Sequence, residues 1–243
     1  MQRYLAYTVI FLAYIFGSGS LVMFGIFCYV GSLHSVRLGL DENGILFFDL
    51  CLSVAFFLQH SGMVRKPFRR FLSRFIPEAY VSAFYAISSS IFLFAVVIFW
   101  QESSSTVATA KGSLRLLLRA IFAASLVGFY WGTNALGFFD PYGISAIKCL
   151  IRGKKPKEMP LTISGPYRWV RHPLYFFVLV IIWSNPYLTL DRLLFNILWT
   201  VWICIGAFLE ERDLVADFGE EYREYKRKVP MLIPWRLQPS WPE

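Results

Sequence analysis

Long, uninterrupted apolar runs organise the chain. They lie at Tyr4 to Val30, Gly44 to Val64, Ala79 to Trp100, Leu114 to Phe139 and Leu190 to Leu209, and each is long enough to cross a hydrocarbon core of about 30 Å as a helix. A sixth run, Pro173 to Ser184, rises only about 18 Å as a helix and stops at Asn185-Pro186. It reads either as a half-span that turns back in a hairpin with Leu190 to Leu209 or as a tilted full crossing; the hairpin, counted as two crossings, is the reading adopted. Beyond Leu209 the apolar positions thin to Leu214, Phe218, Tyr222 and Tyr225. That spacing predicts an amphipathic continuation of the last span to about Lys228. The expected fold is all-α, a polytopic membrane bundle of five long spans plus a short helix forming a C-terminal hairpin. It reads as a single domain over 1–243, with four spans in 1–140 and the hairpin and amphipathic tail in 141–243.

Composition agrees with a chain solvated by lipid. Of 243 residues, 56% are hydrophobic and only 16% charged, against about 25% charged in an average soluble domain. Disorder, collagen-like repeats and a disulfide scaffold are excluded by the same figures, because glycine and proline show no period and there are 4 cysteines. None of these is in a CxxC spacing, so structural zinc is not expected. Gly17, Gly19 and Gly25 suit close helix contact in the first span. That span carries no small-residue cleavage site at its end and reads as a span rather than a signal peptide.

The net charge of +8 is a matter of loops. Arg65, Lys66, Arg69, Arg70 and Arg74 share one connection; Lys148, Arg152, Lys154, Lys155, Lys157, Arg168 and Arg171 share another; Arg212, Arg223, Lys226, Arg227, Lys228 and Arg236 follow the last span. With six crossings these fall on one side together with Arg3, leaving Arg37, Lys111, Arg115, Arg119 and Arg192 opposite. Cytoplasmic loops carry the Lys/Arg excess, so both termini are expected in the cytoplasm. Anionic lipid is a secondary partner, and nucleic acid is not expected because no soluble basic domain exists to carry it.

Candidate chemistry concentrates at the predicted cytoplasmic edge. In Gly165-Pro-Tyr-Arg-Trp-Val-Arg171-His172-Pro173-Leu-Tyr175, proline opens the short helix and places Arg171 and His172 at its mouth, beside backbone N–H groups and the positive dipole end. That predicts an anion site. Glu210 and Glu211 sit mid-helix near the same boundary, where an unpaired carboxylate costs several kcal/mol. The segment Val229-Pro230-Met-Leu-Ile-Pro234-Trp235 cannot continue a helix and reads as an extended apolar lid. Gln59-His60-Ser61 lies at the cytoplasmic end of the second span, and Asn134 and Asp140 approach that end of the fourth. Asp49, near the outer end of its span, stands apart from this group. Together these residues suit a ligand carrying both a carboxylate and a cation.

These residues resemble the membrane-embedded methyltransferase superfamily that includes isoprenylcysteine carboxyl methyltransferase and bacterial phospholipid N-methyltransferases. The pattern is Arg171-His172-Pro-x-Tyr175, a helical hairpin, Glu210-Glu211, then Gly219, Tyr222 and Tyr225 before Val229-Pro and Ile233-Pro. A narrower likeness, to methanethiol S-methyltransferases and the related NnrU and nurim proteins, rests on Gln59-His60-Ser61, Arg65-Lys66-Pro67-Phe68-Arg69, Pro77, Tyr85 and the run Glu210 to Gly219. The resemblance implies S-adenosylmethionine as methyl donor. Arg171, His172, Tyr175, Glu210, Glu211, Tyr222 and Tyr225 would bind it, in a pocket facing the cytoplasm. Gln59, His60, Asn134 and Asp140 would line the acceptor pocket, with His60, Arg171 and Glu211 as the catalytic candidates and no metal. The implied acceptor is a small thiol, most directly methanethiol giving dimethyl sulfide. A lipid-borne acceptor, or a non-catalytic protein of the NnrU and nurim type, are the alternatives. One departure is local: where methanethiol enzymes carry Asn-His before a Phe-Asp, this chain has Gly137-Phe138 before Phe139-Asp140, so it relies on His60 or takes another acceptor.

Overall fold

A computed structural model describes residues 2–137, 140–155, 160–235 and 238–241. Phe138, Phe139, Lys157 and Arg236, which enter the readings above, lie outside the described residues. Among the described residues eight α-helices follow one another: α1 (Gln2–Val30), α2 (Glu42–Val64), α3 (Lys66–Leu72), α4 (Glu78–Phe99), α5 (Gly112–Ala135), α6 (Ile144–Ile151), α7 (Pro173–Trp183) and α8 (Leu190–Lys228). Five of them, α1, α2, α4, α5 and α8, are long and apolar enough to cross a membrane. Their large apolar side chains turn outward, Leu58 at 71% and Leu116 at 72% exposure among them. That outward surface is what lipid covers in an integral membrane protein. The helix α7 has 11 residues, a rise of about 16 Å that falls short of a full crossing without tilt.

The contacts group into two units. The first holds α1 to α4, α6 and the opening residues of α8. Small side chains at Ala6, Ala13 and Ala83 let α1 and α4 approach closely, and Ile147 of α6 completes their core. Gly17 belongs to the same surface, since the Tyr142 ring occupies the space a side chain there would need, whereas Gly25 faces open space. Where α4 ends, the backbone N–H of Gln101 donates to Asp49 Oδ1 at 3.0 Å and Trp100 Nε1 donates to Asp191 Oδ2 at 2.9 Å. The sequence reading of Arg192 as a loop cation is corrected here. It is buried, donates from Nη2 to the Phe27 carbonyl, and lies 4.3 Å over the Phe27 ring. Placed at the start of an apolar helix, it satisfies a carbonyl and an aromatic face instead of water.

The second unit holds α5, α7, most of α8 and the C-terminal tail. A short two-stranded sheet, β1 (Thr106–Thr109) and β2 (Tyr187–Thr189), was not foreseen. The N–H of Ala110 extends it to the Pro186 carbonyl at 2.8 Å. The helix α8 reaches Lys228 as its apolar spacing predicts, but it is broken at Gly219, whose φ of 59° and ψ of −127° are not helical. Only glycine adopts that conformation without strain. Its consequence is the geometry of the site.

Candidate active site

In a straight helix, fifteen residues separate their ends by about 22 Å. Yet Lys226 Nζ lies 2.8 Å from Glu211 Oε2. The break at Gly219 turns the end of α8 back on its middle, bringing Tyr222, Tyr225 and Lys226 to the two acids. Tyr222, Tyr225 and Val229 are buried together, packed by Leu161, Ile163, Leu214, Val215, Phe218 and Trp241.

Arg171 is the hub. Its Nε donates to Glu211 Oε1 at 2.6 Å, and Nη1 donates to the carbonyls of Lys226, at 3.0 Å, and Val229. Glu211 is 1% exposed and receives Arg171 and Lys226, with His172 Nε2 at 3.4 Å. A carboxylate this deep is tolerable because it is shared among cations. The mouth of α7 is engaged as well. Pro173 opens the helix, but the N–H of Arg171 donates to the Pro230 carbonyl at 2.8 Å and that of His172 to the Met231 carbonyl at 3.0 Å. These two donors hold the apolar strip in place. The rest of the tail continues the seam, with Arg168 Nε donating to the Trp241 carbonyl at 3.0 Å and the Ser240 N–H to the Arg168 carbonyl at 2.8 Å.

Glu210 differs from its neighbour in kind. Its side chain is 45% exposed, and Oε2 accepts the Tyr175 hydroxyl at 2.6 Å. Tyr175 stacks on His172, the rings 5.3 Å apart and 9° from parallel. Tyr222 places its buried hydroxyl among Arg171, Glu211 and Glu210. The Tyr225 hydroxyl instead donates to the Tyr167 carbonyl at 2.6 Å. The Tyr167 hydroxyl is itself pushed well above the usual phenol range, first by burial and then by the charge of Glu210. All seven residues named from the sequence as cofactor candidates lie in this unit, but the sequence gave no sign of Lys226, whose place depends on the break at Gly219.

Comparison with known proteins decides the family. The chain is 37% identical over 191 residues to a methanethiol S-methyltransferase of a Pseudomonas species, covering 78% of this chain and 74% of that protein. It is 30% identical to the methanethiol S-methyltransferase of Crocosphaera subtropica, covering 88% of this chain and 91% of that one. The chain belongs to the methanethiol S-methyltransferase family. Nurim of Rattus norvegicus is a more distant relative of this family member, 26% identical over 74% of this chain and 73% of its own. No protein-family profile matches the chain, and no solved structure matches it.

The acceptor-pocket candidates of this methanethiol S-methyltransferase family chain fall in both units. In the first, the Tyr85 hydroxyl lies 2.8 Å from His60 Nε2, and Gln59 Nε2 donates to Ser89 Oγ at 3.2 Å. Asp140, in the same unit, accepts the N–H groups of Ile144 at 2.9 Å and Ser145 at 2.7 Å. It starts α6, a structural task the sequence did not reveal. Asn134, in the second unit, is exposed on the last turn of α5.

Proposed function

We propose that this protein transfers the methyl group of S-adenosylmethionine to a small thiol, most directly methanethiol, giving dimethyl sulfide. The likeness to methanethiol S-methyltransferases over most of the chain carries this reading. The second unit fits such a donor: a part-exposed carboxylate at Glu210 and a buried hydroxyl at Tyr222 offer an acceptor and a donor to a ligand bearing hydroxyls, an ammonium and a carboxylate.

When bound, S-adenosylmethionine supplies an electrophilic methyl group on a sulfonium. Glu210, fixed by Tyr175, takes the ribose hydroxyls or the ammonium, and the stacked His172 and Tyr175 rings form a wall. Arg171 and Glu211 contribute mainly by holding that wall, the returning end of α8 and the Val229 to Trp235 strip in register. The remaining guanidinium charge favours the methionine carboxylate. A closed strip excludes water and strengthens these attractions. A free thiol has a pKa near 8.5, so the acceptor needs a group to take or orient its proton. His60, held by Tyr85, is our candidate, since a neutral imidazole serves as base near pH 7. We place both termini and the site on the cytoplasmic side, on the strength of the Lys/Arg clusters at 65–74, 148–171 and 212–228. Appearance of labelled dimethyl sulfide when the purified protein meets methyl-labelled S-adenosylmethionine and methanethiol tests the proposal.

A further inference from the structure

Between the end of α2 at Val64 and the start of α4 at Glu78 the chain is tied to one face of the membrane by two spans. There it forms α3, a seven-residue helix with no buried residue. The helical bonding continues past it, with Ser73 N–H on the Arg69 carbonyl at 3.0 Å and Ile76 N–H on the Leu72 carbonyl at 3.1 Å. At about 100° per residue, Phe68, Phe71, Leu72 and Phe75 share one face, while Lys66, Arg69, Arg70 and Arg74 fan over the other. The three phenylalanine rings are in contact in series, 6.2 Å from Phe68 to Phe71 and 5.2 Å from Phe71 to Phe75. Phe71 is nevertheless 51% and Phe75 71% exposed. Lys66, Arg69, Arg70 and Arg74 are exposed too, and no acid stands between Arg65 and Pro77.

An aromatic row with cations along its back, held at a membrane face, is complementary to the boundary between acyl chains and phosphates. We propose that α3 and the turn after it lie in the plane of the bilayer and bind anionic phospholipid headgroups. The rings enter the acyl boundary, and the arginines reach the phosphates from above. Arg69 also donates from Nη2 to Ser82 Oγ at 3.2 Å, which ties the helix to α4 and fixes the direction its arginines face.

The test is native mass spectrometry of the full chain in detergent, titrated with phosphatidylglycerol or phosphatidylcholine. The expected result is a preference for phosphatidylglycerol of about tenfold, lost altogether in the double variant R70Q/R74Q, since each cation near an anionic surface contributes about a factor of five. The single variant Arg70→Gln, with helicity checked by circular dichroism, should fall between. Equal binding of the two lipids by the wild type, or an unchanged preference in the double variant, overturns the proposal. So does abolition of the preference by millimolar inorganic phosphate, which marks a free-anion site, or its loss in K111Q/R115Q/R119Q instead.

Discussion

Arg171 Nε and Glu211 Oε1 are 2.6 Å apart, with side chains only 7% and 1% exposed. The pair organises the site more than it fills it. Its guanidinium also grips the carbonyls of Lys226 and Val229, while its backbone N–H binds Pro230. One residue therefore joins the mouth of α7, the middle of α8, the returning end of α8 and the strip.

Removing one partner leaves the other charge buried. Glu211→Ala should lower unfolding stability by about 3 kcal/mol and weaken S-adenosylmethionine binding, read by denaturant unfolding in detergent and by calorimetry. Arg171→Ala should do the same, and Arg171→Lys should not rescue it, because a lysine cannot reach carboxylate and carbonyls together. Cofactor affinity unchanged in both alanine variants means the site is misplaced.

Glu210 should behave in the opposite way. Being part-exposed and bound to the protein chiefly through Tyr175, it is proposed to serve a ligand more than folding. Glu210→Gln is expected to weaken S-adenosylmethionine binding about tenfold, the worth of a charge-assisted hydrogen bond, with the unfolding midpoint unmoved. Tyr175→Phe should give a smaller loss in the same direction. A shift in stability with affinity kept contradicts the division of labour between the two acids.

Gly219 offers a test of geometry without chemistry. A side chain there meets nothing within 4 Å, so Gly219→Ala adds no clash, yet φ 59° and ψ −127° cost a non-glycine residue about 1–3 kcal/mol. The variant should straighten α8, separate Lys226 from Glu211 and lose cofactor binding. A crosslink between cysteines introduced at Val215 and Val229, which belong to one packed cluster but would lie about 21 Å apart on a straight helix, that forms in the parent and fails in the alanine variant reports the opening; equal crosslinking counts against the turn.

His60→Ala should slow methyl transfer about a hundredfold, the usual range for a general base, while calorimetry shows S-adenosylmethionine binding kept. Tyr85→Phe, which removes the hydroxyl at 2.8 Å, should slow it less. Loss of binding in His60→Ala would assign the histidine to folding instead.

The sequence carried the five spans with most ends within two residues, because lipid demands long apolar runs and nothing else in the chain imitates them; the fourth run, drawn to Phe139, overshoots α5, which ends at Ala135. The observed α1 and α2 end at Val30 and Val64 as expected. Lys228 was legible as the end of α8, since the apolar period runs on. The break at Gly219 was not, because the same period holds on both sides of it and a single glycine in a helix is ordinarily tolerated. The strand pair was hidden for the opposite reason: Thr106 to Thr109 are all exposed and show no alternation to read. Arg171, Glu210 and Glu211 could be singled out from depth and charge alone. Their separate roles could not, since those follow from where the tail returns.

The identity of the methyl acceptor separates a thiol methyltransferase from a lipid methyltransferase. Purified protein in lipid, given methyl-labelled S-adenosylmethionine and, in separate reactions, methanethiol, a farnesylated cysteine and phosphatidylethanolamine, decides it. Label is expected in dimethyl sulfide and in neither lipid-borne acceptor. Label in a lipid product alone, or no transfer to any of the three, contradicts that expectation.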